Sequence, residues 1–384
     1  MDELIRKYKI IVGSKGFFEN QVKLLDEHIA QNDLDDQIGN FLELVRLSDE
    51  KKTRGISFEE DDKAAIMLVK NNDYLGITES ANDRLGSLIE EITSDDAIIY
   101  IHNPPKTLAT YLKDLHSREE ISLSYEKEEY DIKRESSTFL DNMSQIKTAI
   151  LGQDEAVNEI SKSMWHITAV NRKKPYIIML YGGSSLGKSE LVREISKKFF
   201  EGKFVEKHLS MFKNDAYSNY FFGDRPNRKS LGFDLLERES NLIFLDEFDK
   251  CPEYFYSAFY TLFDNTNFAD ATYEVDISGL LVILTSNYQN IDEMKKHVGL
   301  PIFYRIDKFI HFKQFDERTI YGITMNEIRH HVDECGGKLV EDEVYRRVSP
   351  RICAVGENAR TIKNKVQEVV EDILFEEVQE ADCN

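Results

Sequence analysis

The sequence predicts an α/β fold: a parallel sheet flanked by helices, preceded by a mostly helical N-terminal domain and followed by a small helical C-terminal one. Three observations predict it. Between residues 141 and 315, apolar strand-like runs alternate with helical patterns, the pattern of a parallel sheet with crossover helices. The run "PYIIML" leads into the glycine-containing loop "YGGSSLGKSE" and then into a helical segment. Beyond Phe315 the strand-like runs stop, and only helical periodicity remains, as in "IYGITMNEIRHHVDEC".

A chain of 384 residues exceeds one ordinary core, so two or three domains are expected. Residues 1–115 mix amphipathic helical patterns ("NQVKLLDEHIAQN", "NDRLGSLIEEI") with one strand-like run, "AIIYIHN". Pro104 and Pro105 then force a turn. Residues 116–140 are dense in mixed charge and read as a linker or solvated helix. Residues 141–315 carry the strands "YIIMLY", "FVEKHL", "LIFLDE", "LLVILTSN" and "KFIHF"; residues 316–384 close the chain with helices. Trp165, in the helix after "ILGQDEAV", reads as a core residue.

Composition excludes several classes. Apolar residues make up 41% and charged residues 31%, and runs such as "LLVIL" are far too short to span a bilayer, so no membrane partner is expected. The N-terminal "MDELIRKYKI" has no apolar signal core, so a cytoplasmic protein is expected. Cys251, Cys335, Cys353 and Cys383 are scattered without a CxxC pair, which suggests neither a disulfide framework nor a zinc cluster. A net charge of −21 argues against a surface given over to nucleic acid, while leaving room for a local basic strip.

The stretch Gly182-Gly183-Ser184-Ser185-Leu186-Gly187-Lys188-Ser189-Glu190 satisfies G-x-x-x-x-G-K-[ST], the P-loop pattern. Glycines let successive N–H groups turn inward around a phosphate, and the helix that begins there adds free N–H groups and its positive dipole end. Lys188 supplies a point charge for β and γ phosphates, and Ser189 offers a hydroxyl to Mg²⁺. "NLIFLDEFDK" delivers Asp246 and Glu247 at the end of a buried strand, Asp246 for Mg²⁺ and Glu247 to polarise an attacking water. "VILTSN" ends a further apolar strand in Thr285, Ser286 and Asn287, whose amide suits orienting that water.

In this order the motifs resemble the AAA+ ATPases, most closely their Clp-type unfoldase modules, over roughly residues 150–377. The resemblance implies ATP and Mg²⁺ as cofactors, an AAA+ core with a helical lid, and a homo-oligomer, commonly a hexameric ring. "ILGQDEAV" looks like the family's opening box, which sets Ile150 and Leu151 beside the adenine. "LTSN" matches the sensor 1 strand with Asn287 as sensor, "FYRIDKFIHF" implies Arg305 as the arginine finger, and "GENARTIK" implies Arg360 as sensor 2. Cations there stabilise the charge spread over a departing γ phosphate. Arg360 would act on its own subunit's nucleotide and Arg305 on a neighbour's.

The chain departs from the family's pattern at several positions. Ser185 stands where the loop usually has a further glycine, Tyr304 where an asparagine usually precedes the finger, and Asn358 where sensor 2 usually has glycine; asparagine tolerates left-handed backbone. The family's aromatic pore loop corresponds to "YFFGDRPNRKSLGFD", with Arg225, Arg228 and Lys229 where the gripping aromatic belongs. Those cations either favour a polyanion such as nucleic acid or simply face solvent. Tyr217, Tyr220, Phe221 and Phe222 precede them and either stack on bases or pack beneath the loop. Three uses of one ATPase engine stay open: remodelling a protein, moving on nucleic acid, or a nucleotide-dependent assembly switch that engages an effector through the N-terminal domain.

Overall fold

The computed structural model describes residues 5–30, 38–130, 136–170, 172–212, 218–336 and 339–382. The N-terminal unit runs β1 (Lys7–Val12), α1 (Lys15–Ala30), β2 (Ile38–Asn40), α2 (Phe41–Thr53), β3 (Ala64–Val69), α3 (Glu79–Asn82), α4 (Leu85–Ile92), β4 (Thr93–His102), α5 (Lys106–Ser117) and β5 (Ser122–Lys127). Its five strands form one parallel sheet in the order β2-β3-β4-β1-β5. Helix is abundant here, as expected, but the organising element is a sheet, where the sequence showed a single strand. The charged stretch read as a linker supplies the edge strand: β5 pairs with β1 from Lys7↔Ser122 to Val12↔Lys127. An edge strand needs only its backbone to pair, so a charged sequence serves it.

The second unit opens with α6 (Ser136–Ala149) and α7 (Asp154–Ala169), followed by β6 (Tyr176–Tyr181), α8 (Lys188–Phe199), β7 (Val205–His208), α9 (Ser218–Phe222), α10 (Leu231–Leu236) and β8 (Leu242–Asp246). It continues through α11 (Tyr256–Asp264), β9 (Asn267–Ala269), β10 (Glu274–Asp276), β11 (Leu281–Ser286), α12 (Ile291–Phe303) and β12 (Lys308–His311). The sheet is parallel throughout, in the order β12-β6-β11-β8-β7, while β9 and β10 form a separate antiparallel hairpin. The central strands β6, β8 and β11 are buried on both faces, which is why they read as unbroken apolar runs. Trp165 does not join this core: it is 40% exposed and lies edge-on to Phe139 at 5.2 Å, since α7 turns a different stripe inward.

Helices α13 (Glu317–Glu334), α14 (Glu341–Val348) and α15 (Ala359–Asp382) complete the chain, and their apolar faces share a cluster with one face of the second sheet. Among the described residues, no helix is long and apolar enough to cross a membrane.

The carboxyl ends of the first sheet dock on the second unit. Past β3, Asn71 Nδ2 donates to Glu237 Oε1 at 2.7 Å. Past β4, Lys106 donates its backbone N–H to Thr272 O at 2.9 Å and its ammonium to Asp270 O at 2.5 Å, on the hairpin turn. At the end of β5, Lys127 pairs with Asp276, and beyond it Tyr130 donates to Arg238 O at 2.8 Å while its ring stacks under that guanidinium at 4.6 Å.

Candidate nucleotide site

The loop after β6 is shaped by one close approach and by left-handed backbone. Gly182 has φ 136°, and a β-carbon there would come within 2.3 Å of the Phe312 carbonyl at the end of β12. Gly187, at φ 98°, precedes α8 and leaves the helix start open. Ser185 takes a left-handed conformation at φ 57°, which gives a physical account of why a glycine suits that position. Leu186 turns into the core, 1% exposed, so the loop offers a ligand its backbone there and not that side chain.

Lys188 is itself buried, and its ammonium donates to Gly182 O at 2.8 Å, Gly183 O at 2.6 Å and Asn287 Oδ1 at 3.2 Å. Burial draws its pKa down to about 8, against the opposing pull of Asp249 and Asp246. Asn287 is thus tied to the lysine through its amide, while its backbone N–H donates to Asp249 Oδ1 at 3.2 Å.

Asp246 ends β8 as a shared acceptor. Its Oδ1 accepts from Ser189 Oγ at 3.2 Å and from Thr285 Oγ1; its Oδ2 faces His208 Nδ1, at the end of neighbouring β7, at 3.2 Å. Glu247 follows in a left-handed conformation, φ 58° and ψ 46°, with its N–H bonded to Thr285 Oγ1 at 3.0 Å. The loop, the β8 end, the β11 end and the start of α15 line one cleft of about 520 Å³. Of the residues expected at the site, it gathers Ser184, Ser185, Gly187, Lys188, Ser189, Glu190, Asp246, Glu247, Asn287 and Arg360.

Others lie outside it. Ile150 is buried and packs over Gly187, with its Cγ2 3.6 Å from where a β-carbon there would stand, and half-buried Leu151 lies against Gly322 of α13. Gln153 is committed to structure: it exchanges hydrogen bonds with the backbone of Lys313, at 2.9 and 3.1 Å. Gly183 sits under Gln314. Arg305 is held away from the cleft, its Nε on Asp264 Oδ2 at 2.6 Å, its Nη1 on Pro301 O at 2.7 Å and its plane 4.6 Å from the Tyr260 ring. Asn358 is not in the left-handed region; it caps α15 instead, its Oδ1 accepting the Thr361 N–H at 3.0 Å. The next amide, Ala359 N–H, donates to Ser185 O at 3.1 Å and seats the helical domain on the loop.

Residues 178–314 match the family described as "ATPase family associated with various cellular activities (AAA)". Over those residues the chain carries an AAA module, similar to those of Clp-type ATPases. ATP hydrolysis is the chemistry that the family's description names. Relatives include a chloroplastic chaperone protein ClpC2 of Oryza sativa subsp. japonica, 23% identical over 299 residues, covering 65% of this chain and 32% of the relative. A chloroplastic chaperone protein ClpD of Arabidopsis thaliana is 22% identical over 284 residues, covering 60% of this chain and 30% of that one. The ClpA homolog of Porphyra purpurea, an ATP-dependent Clp protease ATP-binding subunit, is 23% identical over 295 residues, 64% of this chain and 36% of its own. The chain therefore spans about a third of the length of the curated relatives it matches.

In the AAA module one cation of the basic loop reaches the N-terminal unit and two stay within the module. Arg225 lies 3.7 Å from Glu79, Arg228 pairs with Asp224 at 3.2 Å, and the Lys229 ammonium stands 5.3 Å over the Phe233 ring. Tyr220 and Phe221 pack against Phe212, with the Tyr220 hydroxyl on Asp234 at 2.7 Å; Phe222 is 43% exposed, and Tyr217 lies outside the described residues. Cys251 is buried, which pushes its thiol up to about 12 and keeps it unreactive. Arg193, Ile323, Glu327 and Lys363 also line the cleft, and no motif marks them, since each reads as an ordinary residue of a helix. His208 and Thr285 reach Asp246 from strand ends, where the motif patterns assign them no part.

Proposed function

We propose that the protein is an Mg²⁺-dependent ATPase that works as a ring oligomer to remodel or regulate a partner protein engaged through its N-terminal unit. The observation that carries this reading is the single cleft shared by Lys188, Ser189, Asp246, Glu247, Asn287 and Arg360. Ser189 and Asp246 supply hard oxygen donors 3.2 Å apart, the donor type that suits Mg²⁺, which would polarise the γ phosphate when bound. Asp246 already accepts bonds on both oxygens, which favours contact through a water. Lys188 would exchange its carbonyl partners for phosphate oxygens, Glu247 would take the proton of the attacking water, and Asn287 would orient that water. Ile150 and Leu151 would bracket the adenine, and Arg360 would close the helical domain over the phosphates. Arg305, held outside its own cleft, suits a neighbour's nucleotide, and this is the argument for an oligomer.

A protein partner fits the relatives, whose printed names are those of chaperones and a protease subunit. The docking of the first sheet on the ATPase module favours regulation over threading. The nucleic-acid reading has less support, since Arg225 and Arg228 already have acidic partners. The test is ATP turnover of purified protein beside Glu247→Gln, alone and with unfolded casein, single-stranded DNA, duplex DNA or RNA. Glu247→Gln should bind ATP and lose turnover by roughly 100-fold or more. A wild type inactive under every condition overturns the reading; stimulation by nucleic acid that is lost in Arg228→Ala shifts it to the motor alternative.

A further inference from the structure

We infer that Thr285 is the positioning residue for Glu247: its hydroxyl holds the left-handed peptide that presents this carboxylate to the cleft. The inference rests on the ATPase reading above and adds a residue and a device to it.

The chain leaving β8 has two demands to meet. Phe248 is fully buried and stacks on Tyr256 at 5.5 Å, and residues Phe248–Lys250 form a single tight helical turn. Glu247, one residue earlier, borders the cleft. Sending adjacent side chains in these directions puts Glu247 at φ 58° and ψ 46°, a region that residues with a β-carbon avoid. The burial of Phe248 anchors the turn on one side. Thr285 anchors it on the other.

Thr285 comes one residue after the Leu284↔Leu245 pair of β11 and β8, and is 2% exposed. A hydroxyl has one proton to give and lone pairs to accept with. Here the proton goes to Asp246 Oδ1, and a lone pair takes the Glu247 N–H at 3.0 Å. One side chain therefore fixes the carboxylate of residue 246 and the peptide plane of residue 247 together. Strand β11 adds a second tie two residues on, from Asn287 N–H to Asp249 Oδ1 at 3.2 Å. That tie reaches the far end of the turn and leaves the Glu247 peptide to Thr285.

Valine has the shape of threonine without the hydroxyl, so Thr285→Val keeps the burial and removes both bonds. The Glu247 amide is then unpaired, and the left-handed conformation loses what opposes its relaxation. Turnover in Thr285→Val should fall on the order of 10- to 100-fold, as for a misaligned general base. ATP affinity, read without Mg²⁺ by a fluorescent nucleotide on the Glu247→Gln background, should stay within about twofold, because the loop that holds the phosphates is untouched. Thr285→Ser should recover turnover to within about threefold of wild type, since it restores the hydroxyl; a residue needed only for packing would not be rescued by the smaller serine. Thr285→Ala serves if the valine variant does not fold. A crystal structure of the variant gives a readout independent of turnover: Glu247 should leave the left-handed region. Wild-type turnover in Thr285→Val, failure of serine to rescue, or a Glu247 that keeps its positive φ without the hydroxyl overturns the inference. A wild type that never hydrolyses ATP overturns the ATPase reading instead, and the crystal structure still decides whether Thr285 holds Glu247.

Discussion

The molecule contains two parallel five-stranded sheets that use their carboxyl ends differently. In the second sheet the ends of β6, β8 and β11 border the 520 Å³ cleft, with Lys188, Asp246, Glu247 and Asn287 facing it. In the first sheet the same ends are occupied by protein. Asn103 closes onto Gly13 through two hydrogen bonds, Glu128 accepts from both the N–H and the hydroxyl of Ser14, and Asn71 and Lys106 reach across to Glu237 and Asp270. Parallel sheets place their functional crevice beyond the carboxyl ends of the strands. The comparison teaches that this crevice can stay open as a cleft in one unit and be filled by a neighbouring unit in the other, with the same architecture beneath.

The comparison can be broken most severely at Asp270. This buried carboxylate accepts the N–H groups of Thr272 at 2.8 Å, Tyr273 at 2.7 Å and Gly232 at 3.0 Å, so it shapes the hairpin turn on which Lys106 docks. Asp270→Ala leaves three donors without that acceptor, and urea unfolding should show a loss of about 3 kcal/mol. A loss below about 1 kcal/mol would mean that water replaces the carboxylate and that the docking surface is not built on it.

The next effect sharpens the ligand-holding side. Lys188 titrates at about 8, and a phosphate favours its charged form. ATP affinity should therefore be level below pH 8 and weaken above it, by up to about tenfold per pH unit. Titration calorimetry with a non-hydrolysable ATP analogue across this range checks it; affinity that improves with rising pH would contradict the role given to Lys188.

Asn71→Ala tests the protein-holding side. Asn71 is 1% exposed and bonded to Glu237 at 2.7 Å, so its loss should cost about 1–2 kcal/mol, seen in denaturation of the N-terminal unit while ATP binding is unchanged. Ser185→Gly should raise stability by up to about 1 kcal/mol, because glycine takes the left-handed loop conformation without penalty, partly offset by its freer unfolded chain. Arg225→Ala should change stability least, within about 0.5 kcal/mol, since its pair with Glu79 is solvent-exposed.

The same contrast accounts for what could be read from sequence. Strands β6, β8 and β11 are sandwiched between helices, so burial on both faces writes them as continuous apolar runs bounded by loops. In the first sheet, β2 has three residues, too few for any period to show, and β5 is exposed at nearly every position, so "SLSYEK" looks like solvated linker. Phosphate-loop residues were legible because their chemistry demands fixed spacing. Thr285 and His208 were not, because their role depends on which strand lies beside β8, and strand order is a property of the folded sheet. Lys363 lines the cleft only when the helical domain has docked, and Trp165 misled because amphipathic α7 offers several apolar residues from which to choose an inward stripe.

Glu237 and Arg238 are neighbours in the chain, and Arg238 serves both units, stacking on Tyr130 as well as bonding within its own. Glu237 faces Asn71 of the N-terminal unit, whereas Arg238 turns inward to Asn241, which precedes β8, and to the Asp276 carbonyl of the hairpin. The two units are therefore poor interchangeable cassettes. A foreign N-terminal unit grafted onto this ATPase module would meet Glu237, Asp270 and Asp276 without the amide and lysines that answer them, and a workable chimera would have to carry that patch along with the graft.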